Sequence, residues 1–435
     1  NILSKRTFIV LPLFLFSLHP LWGQKSNFKN DICIPGKLYM LSDIRNDVFV
    51  EALIKRWRPY NDFVRFSGDC VYSRKLNRVA SVDTPVDGSN MKIELVNSDE
   101  FETIKEKAIS ICVGKKGIGT QEVTVQILGD SFVNGAFFRD ALLSKNYIPG
   151  IKLVGLRNIK NEEGQYDEGR GGWTVKKYFE IPKGEMTSYH GYMQPVGEYR
   201  YWGSCEFWKN CYKVINGELT DTEIVYNCGR YDQCITKFDK ETGYLAAPKK
   251  NDLMYDNARG SYMVYTGKKW KNVEVDERKW AFNYRKYLDM WNLDAPKFFA
   301  QMLGLNDYRD SLTADYREWN KKIAEMKESY YKAVPDGKFI ILIPCTTCGS
   351  LNNIRGDFTL RQNASMWQLR KNIIDTFDGR ESEGYYVVDI GITIDNEKGY
   401  NRNRDGIQTG NPHPYPNYPT MGIPLAAFIQ YYREL

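Results

Sequence analysis

Histidine is scarce in this chain. Only His19, His190 and His413 occur among its 435 residues. Imidazole is the side chain most often used as a general base near neutral pH. If the protein uses such a base, few candidate residues remain. His413 lies close to the C-terminus, in the sequence Asn-Pro-His-Pro at 411–414.

After residue 24 the chain also lacks a long hydrophobic run, since no later segment reaches the roughly 20 apolar residues of a membrane helix. The apolar stretch at 8–16 is too short to span a bilayer. It follows Lys5 and Arg6 and precedes the small residue Gly23, which is the layout of a secretory signal. We therefore expect a signal peptide at 1–23, a secreted or periplasmic protein and no membrane span.

A strong charge imbalance is absent as well. Without Lys5 and Arg6 the 60 basic residues become 58, against 54 acidic ones. The two signs alternate along the chain and form no basic stripe, which is the electrostatic footprint of a nucleic-acid-binding protein. The sequence therefore predicts no nucleic-acid partner.

Nine cysteines are an odd number, so at least one thiol stays unpaired. Disulfides are expected in an exported chain. Two pairs resemble a local staple, because five residues separate the members of each: Cys205 with Cys211, and Cys228 with Cys234. Cys345 and Cys348 have the spacing of a redox motif, but neither a second pair nor histidines lie nearby to hold a metal. We expect a structural loop or a bridge there, and no metal or cofactor.

Polar motifs follow two of the apolar runs. Gly-Asp-Ser at 129–131 comes directly after the run 123–128, and Gly-Leu-Asn-Asp at 304–307 comes after the run 298–303. Gly-Gly-Trp-Thr at 171–174 lies between them in the chain. A serine at the exit of a strand, held by a tight glycine turn, is where an α/β fold exposes a nucleophile.

These motifs, in this order, resemble those of the SGNH (GDSL-type) hydrolase family. Gly-Asp-Ser-Phe-Val-Asn-Gly at 129–135 matches the first block, and Gly172 matches the glycine of the second. The Gly-x-Asn-Asp of the third block stands at 304–307, and His413 with the following proline matches the last. The resemblance covers about 121–435 and contains a long insertion.

The resemblance implies a role for each matching residue. Ser131 would be the nucleophile and His413 the general base. The oxyanion would accept hydrogen bonds from the backbone N–H groups of Ser131 and Gly172 and from the side-chain amide of Asn306. Glycine at 172 fits this role, because a missing Cβ lets the backbone approach the reacting carbon.

Each motif also has a simpler interpretation. Ser131 could cap a helix that starts near Asn134, since serine is a preferred N-cap. The asparagine and aspartate at 306–307 could form an ordinary turn at a strand end. His413 could be a loop residue without a chemical role. His190 lies in the insertion, and we interpret it as structural or as contacting the substrate.

One position departs from the family pattern. The last block usually reads Asp-x-x-His, but Gly410 stands three residues before His413. Asp405 further upstream, Asp389 at the end of an apolar run, or a backbone carbonyl in a Ser-His dyad remain as groups that could orient the imidazole. We favour Asp405, because its loop leads directly into His413. The missing acid also leaves an inactive relative of the family open.

The pattern of hydrophobic residues divides the chain. Residues 24–118 contain short strand candidates between turn-rich breaks, and Met-Lys-Ile-Glu-Leu at 91–95 alternates as a half-buried strand does. This predicts a small all-β sandwich domain. Strands alternate with helices in 119–435, which predicts an α/β domain with a parallel sheet. The resemblance implies that this sheet is flavodoxin-like and belongs to an SGNH hydrolase.

An insertion rich in cysteine and aromatic residues interrupts the hydrolase domain at about 175–285. It looks irregular in sequence. Six aromatic residues occur within a short span: Tyr199, Tyr201, Trp202, Phe207, Trp208 and Tyr212. They could stack on sugar rings beside the site, or they could build a small core of their own.

The preferred interpretation is an exported serine esterase that removes acyl groups, expected to be acetyl, from an acylated glycan. A lipid or lysophospholipid acyl hydrolase is the enzymatic alternative. It would require a broad apolar groove, whereas the insertion mixes its aromatics with Arg200, Glu206 and Lys209. The alternative of another class is a catalytically inactive glycan-binding protein, which Gly410 motivates.

Overall fold

The computed structural model describes most of the chain. The described ranges are 30–55, 62–75, 78–97, 101–135, 142–143, 147–158, 165–185, 187–311, 313–346, 360–396, 399–400, 413–414 and 418–433. The expected signal peptide at 1–23 lies outside them, as do Cys348, Asp405 and Gly410. Within these ranges no helix combines the length and the apolar character needed to cross a membrane.

Two sheets form the part of the chain before residue 118. Their strands are β1 (Lys37–Leu41), β2 (Asn46–Phe49), β3 (Asp62–Gly68), β4 (Val71–Arg74), β5 (Val79–Val82), β6 (Asn90–Asn97) and β7 (Thr103–Gly114). The sheets are ordered β1-β7-β6-β3 and β2-β5-β4. Alternation along β6 buries Met91, Ile93 and Leu95, which join side chains of the other sheet in one apolar cluster. The domain boundaries at 24–118 stay a prediction.

Strands continue through the rest of the described chain. They are β8 (Val123–Gly129), β9 (Ile151–Leu153), β10 (Glu168–Gly169), β11 (Met193–Pro195), β12 (Arg200–Ser204), β13 (Asp252–Asp256), β14 (Ser261–Tyr265), β15 (Trp270–Val273), β16 (Trp280–Phe282), β17 (Phe298–Met302), β18 (Lys338–Ile343) and β19 (Tyr385–Asp389). A parallel sheet has the order β10-β8-β17-β18-β19, and β9 pairs with the start of β8. Strands β17 and β19 are buried along their whole length, as expected for a parallel sheet covered on both faces.

Some helices pack on this sheet, and others lie within the insertion. They are α1 (Ser131–Asn134), α2 (Cys205–Ile215), α3 (Thr222–Cys228), α4 (Tyr284–Trp291), α5 (Leu305–Tyr308), α6 (Arg317–Ala333), α7 (Leu360–Phe377) and α8 (Tyr418–Arg433). Helix α6 shows why these segments fold as they do. Trp319, Ile323, Met326 and Tyr330 recur at steps of three and four, and all four are buried on one face.

The insertion is not irregular, which corrects the sequence-based expectation. It holds the sheet β12-β13-β14-β15 and the pair β11-β16. Tyr201, Phe207 and Trp208 are almost fully buried, and the Trp208 ring stacks on Phe238 at 3.9 Å between centroids. The hypothesis that this cluster stacks on sugars is therefore wrong for these side chains. They form the core of the insertion instead.

The cysteines of the insertion do not form the expected staple. The eight cysteines that the structure describes are all free thiols. Cys205 and Cys211 lie six residues apart on the same helix α2, which separates them by about 9 Å along its axis. A disulfide brings Cα atoms within about 7 Å, so helix formation excludes this pairing. Burial raises the pKa of Cys205 to about 12, so the thiol stays protonated.

The first two sheets are packed against the α/β layers. The Tyr39 ring of β1 meets Phe428 of α8 edge to face, with centroids 4.8 Å apart. Gly114 at the end of β7 touches the backbone of the same helix so closely that a Cβ there would lie 2.2 Å from the Ala427 carbonyl oxygen. The α8 backbone can approach this strand only because residue 114 is glycine.

We therefore expect Gly114→Ala to lower the free energy of unfolding by about 1–3 kcal/mol, the usual cost of overpacking a core contact. Gly36→Ala is the matched control, because its added Cβ would meet its nearest neighbour, Asp378, at an ordinary 3.6 Å. Denaturant unfolding of both variants measures the difference. Equal stability of the two would show that α8 does not contact β7 as described.

Candidate active site

Three loops meet at one edge of the parallel sheet. Gly129 at the end of β8 pairs with Gly169 of β10 on one side and with Met302 of β17 on the other. The chain segments that follow these strands therefore leave the sheet side by side. They carry Ser131, the glycine loop 171–174 and Asn306. The carboxyl edge of a parallel sheet is where ligands bind in such folds.

Ser131 opens helix α1 but does not cap it. The cap is Asp130, whose carboxylate accepts a hydrogen bond from the Phe132 N–H at 3.0 Å. The interpretation of Ser131 as an N-cap is therefore wrong, and its hydroxyl is not used by the helix. Gly129 makes this sharp turn possible, because a Cβ there would lie 2.5 Å from Val133 and 2.8 Å from the Met302 carbonyl oxygen.

His413 reaches this serine from the other end of the chain. Its Nε2 lies 2.8 Å from Ser131 Oγ, within hydrogen-bond distance. The imidazole also packs on the Phe132 ring, with centroids 4.9 Å apart. Burial, and then the nearby positive charge of Arg309, lower the pKa of His413 to about 4. The imidazole is therefore neutral at pH 7, which is the state that can accept a proton.

The glycine loop and Asn306 complete the group. Gly172 has φ +72°, which glycine adopts without cost, and no atom lies within 4 Å of where a Cβ would be. The Asn306 side-chain amide donates to the Trp173 carbonyl at 3.2 Å and to the Asp130 carboxylate at 3.3 Å. These contacts tie Asn306 both to the glycine loop and to the turn before Ser131.

Two carboxylates hold the loops together. Asp130 is fully buried, and this burial raises the pKa of its carboxyl to about 7. The negative charge of Asp307 acts in the same direction. Asp307 accepts the Val175 N–H at 3.1 Å, and burial raises the pKa of Asp307 to about 6. Both residues lie inside the motifs recognised in the sequence, yet sequence reasoning gave neither a role.

Of the two aspartates considered for orienting His413, Asp389 forms no hydrogen bond with the imidazole in the structure. It is buried at the end of β19, and its carboxylate is paired with Arg370 of helix α7. Asp405 lies outside the described residues, so its role stays a prediction. His190 is structural: its Nε2 lies 3.0 Å from the Glu180 carbonyl oxygen, and its Nδ1 accepts the Tyr192 N–H at 3.3 Å.

A buried polar cluster below the glycine loop was missed in the sequence. Glu168 of β10 is fully buried and accepts hydrogen bonds from Arg170 at 2.7 Å, from Tyr287 at 2.5 Å and from the Leu156 N–H at 2.7 Å. The Tyr178 hydroxyl contacts the Gly129 carbonyl at 2.7 Å. The available signal was a charged pair directly before the glycines, in Glu-Gly-Arg-Gly-Gly at 168–172.

No protein-family model and no curated protein matches this chain. Among solved structures it is similar to a carbohydrate esterase of family 3 from Talaromyces cellulolyticus, with 12% identity, a TM-score of 0.31 and coverage of 72% of this chain and 99% of that one. A mutant acetyl esterase with an acetate ion gives 12% identity, a TM-score of 0.30 and the same coverages. These neighbours are esterases. Both TM-scores lie below 0.5, so the function proposed below depends on the geometry of the site.

The low pKa of His413 can be measured directly, because the chain has so few histidines. We expect the imidazole of His413 to titrate near pH 4 in an NMR experiment, well below the usual value of about 6.5. Arg309→Gln removes a positive charge that disfavours protonation, so the midpoint should move to higher pH.

Arg317→Gln is the control, since Arg317 is an exposed residue paired with Asp315. It should leave the His413 midpoint where it is. His413→Ala assigns the resonance. A midpoint near 6.5 in the unmodified protein, or equal midpoints in both arginine variants, would contradict the burial and charge described for His413.

Proposed function

We propose that this protein is a serine hydrolase of carboxylic esters, of the SGNH type. The observation that carries the proposal is the 2.8 Å contact between Ser131 Oγ and His413 Nε2 at the carboxyl edge of the parallel sheet. A nucleophile within hydrogen-bond reach of a base is the signature of covalent catalysis. Gly172 and Asn306 on the two neighbouring loops supply candidate donors for an oxyanion.

The order of the strands supports the same proposal. When the strands of the parallel sheet are counted along the chain from β8, with β9 and β10 sharing the second place, the order is 2-1-3-4-5. Flavodoxin-like sheets have this order, and they bind ligands at the point where the order reverses. That point lies between β8 and β17, which are the strands that lead to Ser131 and Asn306.

In the proposed reaction His413 Nε2 takes the proton of the Ser131 hydroxyl while Oγ forms a bond with the ester carbonyl carbon. The carbonyl oxygen becomes negatively charged and accepts the N–H groups of Ser131, Gly172 and Asn306. Collapse breaks the bond to the alkoxide, which receives the proton from His413. Water then attacks the acyl-enzyme by the same steps and releases the acid. The neutral state of His413 near pH 7 suits the first of these steps.

Asp130 and Asp307 act as positioning residues in this proposal. The Asp130 carboxylate accepts one hydrogen bond from Asn306, and Asp307 accepts one from the backbone after the glycine loop. The Asn306 amide has two N–H groups, which contact the Trp173 carbonyl and the Asp130 carboxylate. In the proposed reaction one of them turns from the Trp173 carbonyl to the oxyanion, while Asp130 holds the other in place. The two carboxylates would therefore act on the rate through the oxyanion donors and not through direct contact with the ester.

For the substrate we propose an acylated glycan outside the cytoplasm, with acetyl as the acyl group. Arg309, whose positive charge acts on His413, has a side chain that is 41% exposed. Tyr226 and Arg230 of the insertion lie close to the glycine loop and are half-buried. A hydroxyl-rich substrate suits such a surface better than a lipid chain does, since a lipid would need a broad apolar groove.

The nucleophile is tested by labelling. Ser131→Ala should abolish covalent labelling by a fluorophosphonate probe and lower the turnover of 4-nitrophenyl acetate by at least about 10³-fold, because nucleophile and base act as one unit. Ser204→Ala is the matched control: Ser204 also stands at a helix start, where its hydroxyl accepts the Phe207 N–H at 3.3 Å. That variant should lose about 1 kcal/mol of stability but keep the label.

Labelling that persists on Ser131→Ala would assign the nucleophile to another residue. An unmodified protein that neither reacts with the probe nor hydrolyses the ester would support the glycan-binding alternative instead.

The orienting acid is tested by kinetics. Asp405→Asn should lower kcat by orders of magnitude, up to about 10⁴-fold, because the wrong imidazole tautomer is then favoured. Asp336→Asn serves as control, since Asp336 is exposed and precedes strand β18, at the opposite edge of the sheet from Ser131. If Asp405→Asn costs no more than the control, a backbone carbonyl orients His413 and the protein works through a Ser-His dyad.

A further inference from the structure

One arm of the insertion lies against the proposed catalytic loops. It consists of helix α3 and Arg230, which follows two residues after the helix ends. The Tyr226 hydroxyl accepts a hydrogen bond from the Asn134 side-chain amide, one helical turn after Ser131. A Cβ on Gly171 would lie 1.8 Å from the same hydroxyl. The Tyr226 phenol therefore bridges the nucleophile helix and the glycine loop.

Arg230 is fixed beside this phenol. Its Nη1 donates to the Asn134 carbonyl oxygen at 2.6 Å and also to the Asn134 side-chain oxygen. The guanidinium lies over the Tyr226 ring, 4.8 Å from its centroid, which is a cation–π distance. These contacts hold the side chain in one orientation before any ligand arrives.

The other edge of the guanidinium is open. Arg230 Nε and Nη2 donate hydrogen bonds to none of the described residues. Both atoms are accessible to solvent. Arg230 forms no ion pair within 4 Å with a carboxylate in the described part of the chain. The Nε–Nη2 edge presents two parallel N–H groups, which match the two oxygens of a carboxylate.

The surroundings add positive charge. Arg157 is almost fully buried, and its Nη groups donate to neutral partners at Ser188, Asn134 and the Tyr226 carbonyl. Arg170 is paired with Glu168, so it is balanced. Burial, and then Arg157, lower the pKa of Arg230 to about 10, and Asp167 acts in the opposite direction. Arg230 therefore keeps its charge at neutral pH.

We propose that Arg230 binds a carboxylate of the substrate through its Nε–Nη2 edge, and that the acylated glycan contains uronic acid. This inference rests on the proposed esterase function and names its substrate class. The Tyr226 phenol packs on Gly171, the chain neighbour of Gly172, and Arg230 lies over the Tyr226 ring, so a path leads from the glycine loop to the guanidinium. A sugar chain whose ester lies at Ser131 would place the carboxylate of the same or the adjacent unit along this path. Arg230 is then a specificity-determining residue.

The test compares two substrates that differ only in charge: an O-acetylated uronic-acid polymer and the same polymer after reduction of its carboxyl groups. A charge-assisted bidentate contact should give the unmodified protein at least a tenfold higher kcat/KM, mainly through KM, on the acidic form. Arg230→Gln should remove this preference. Arg230→Lys should keep part of it, because an ammonium group retains the charge but not the fork.

Arg259→Gln is the matched control, since Arg259 lies in the same insertion but is exposed and paired with Asp256. It should keep the tenfold ratio. Thermal unfolding shows whether each variant is folded, and Arg230→Lys preserves the test if Arg230→Gln is not. Equal kcat/KM of the unmodified protein on both polymers, an unchanged ratio in folded Arg230 variants, or a preference for a sulfated polymer over the uronate would each overturn the inference.

A binding measurement separates this site from the catalytic proposal. Calorimetry with an unesterified uronic-acid oligosaccharide should show binding to the unmodified protein, at least tenfold weaker binding to Arg230→Gln and intermediate binding to Arg230→Lys. If that dependence holds while no ester is hydrolysed, the esterase proposal fails and the carboxylate site stands. If esters are hydrolysed but the oligosaccharide binds no better to the unmodified protein than to the variants, the carboxylate site fails alone.

Discussion

The lateral pairing of three strands is the constraint on which the candidate site depends. Gly129 is paired in register with Gly169 on one side and Met302 on the other, so the loops that follow these residues begin side by side. Glycine is required at two of these positions, because a Cβ at Gly129 would collide with Val133 and with the Met302 carbonyl of β17, and one at Gly169 would collide with the backbone of Asn134 in α1. The turn before Ser131 is thus tight because of sheet packing, and the exposure of the hydroxyl follows from it. A one-residue slip of β8 would send the serine to the other face of the sheet.

Below this edge the protein buries charge to an unusual degree. Asp130, Glu168 and Arg170 are each at most 1% exposed. Buried charges are costly unless hydrogen bonds satisfy them, but a satisfied network fixes geometry better than apolar packing does. Asp130 bonds to Phe132 and Asn306 of the site loops. Glu168 and Arg170 join the strand before the glycine loop to Leu156, Tyr287, Tyr189 and Tyr231 of the surrounding elements. The cost of burying these charges therefore falls next to the candidate site, where fixed atomic positions matter most.

Much of the α/β part could be predicted from the sequence, and the reasons are local. The apolar runs 123–128 and 298–303 coincide with strands β8 and β17 to within one residue, because an uninterrupted apolar run of that length is typical of a buried strand. The order of the motifs predicts that Ser131 and His413 lie together, and the structure brings His413 Nε2 to 2.8 Å from Ser131 Oγ. The structure of the insertion could not be predicted. An aromatic residue such as Tyr201 or Trp208 looks the same in the sequence whether it contacts a ligand or packs in a core, and only tertiary packing decides between the two. Asp389 is paired with Arg370, 19 positions away, and Arg230 with Asn134, 96 positions away, and no local sequence pattern records such pairs.

The contact between Ser131 and His413 joins residues that are 282 positions apart. Domains form as the chain emerges during synthesis, starting from the N-terminal side, so the serine, the glycine loop and the whole insertion exist before the histidine does. In the proposed mechanism an incomplete chain would therefore carry the nucleophile without its general base. The proposed hydrolase would gain activity only after synthesis has passed residue 413, when the rest of the site is already in place.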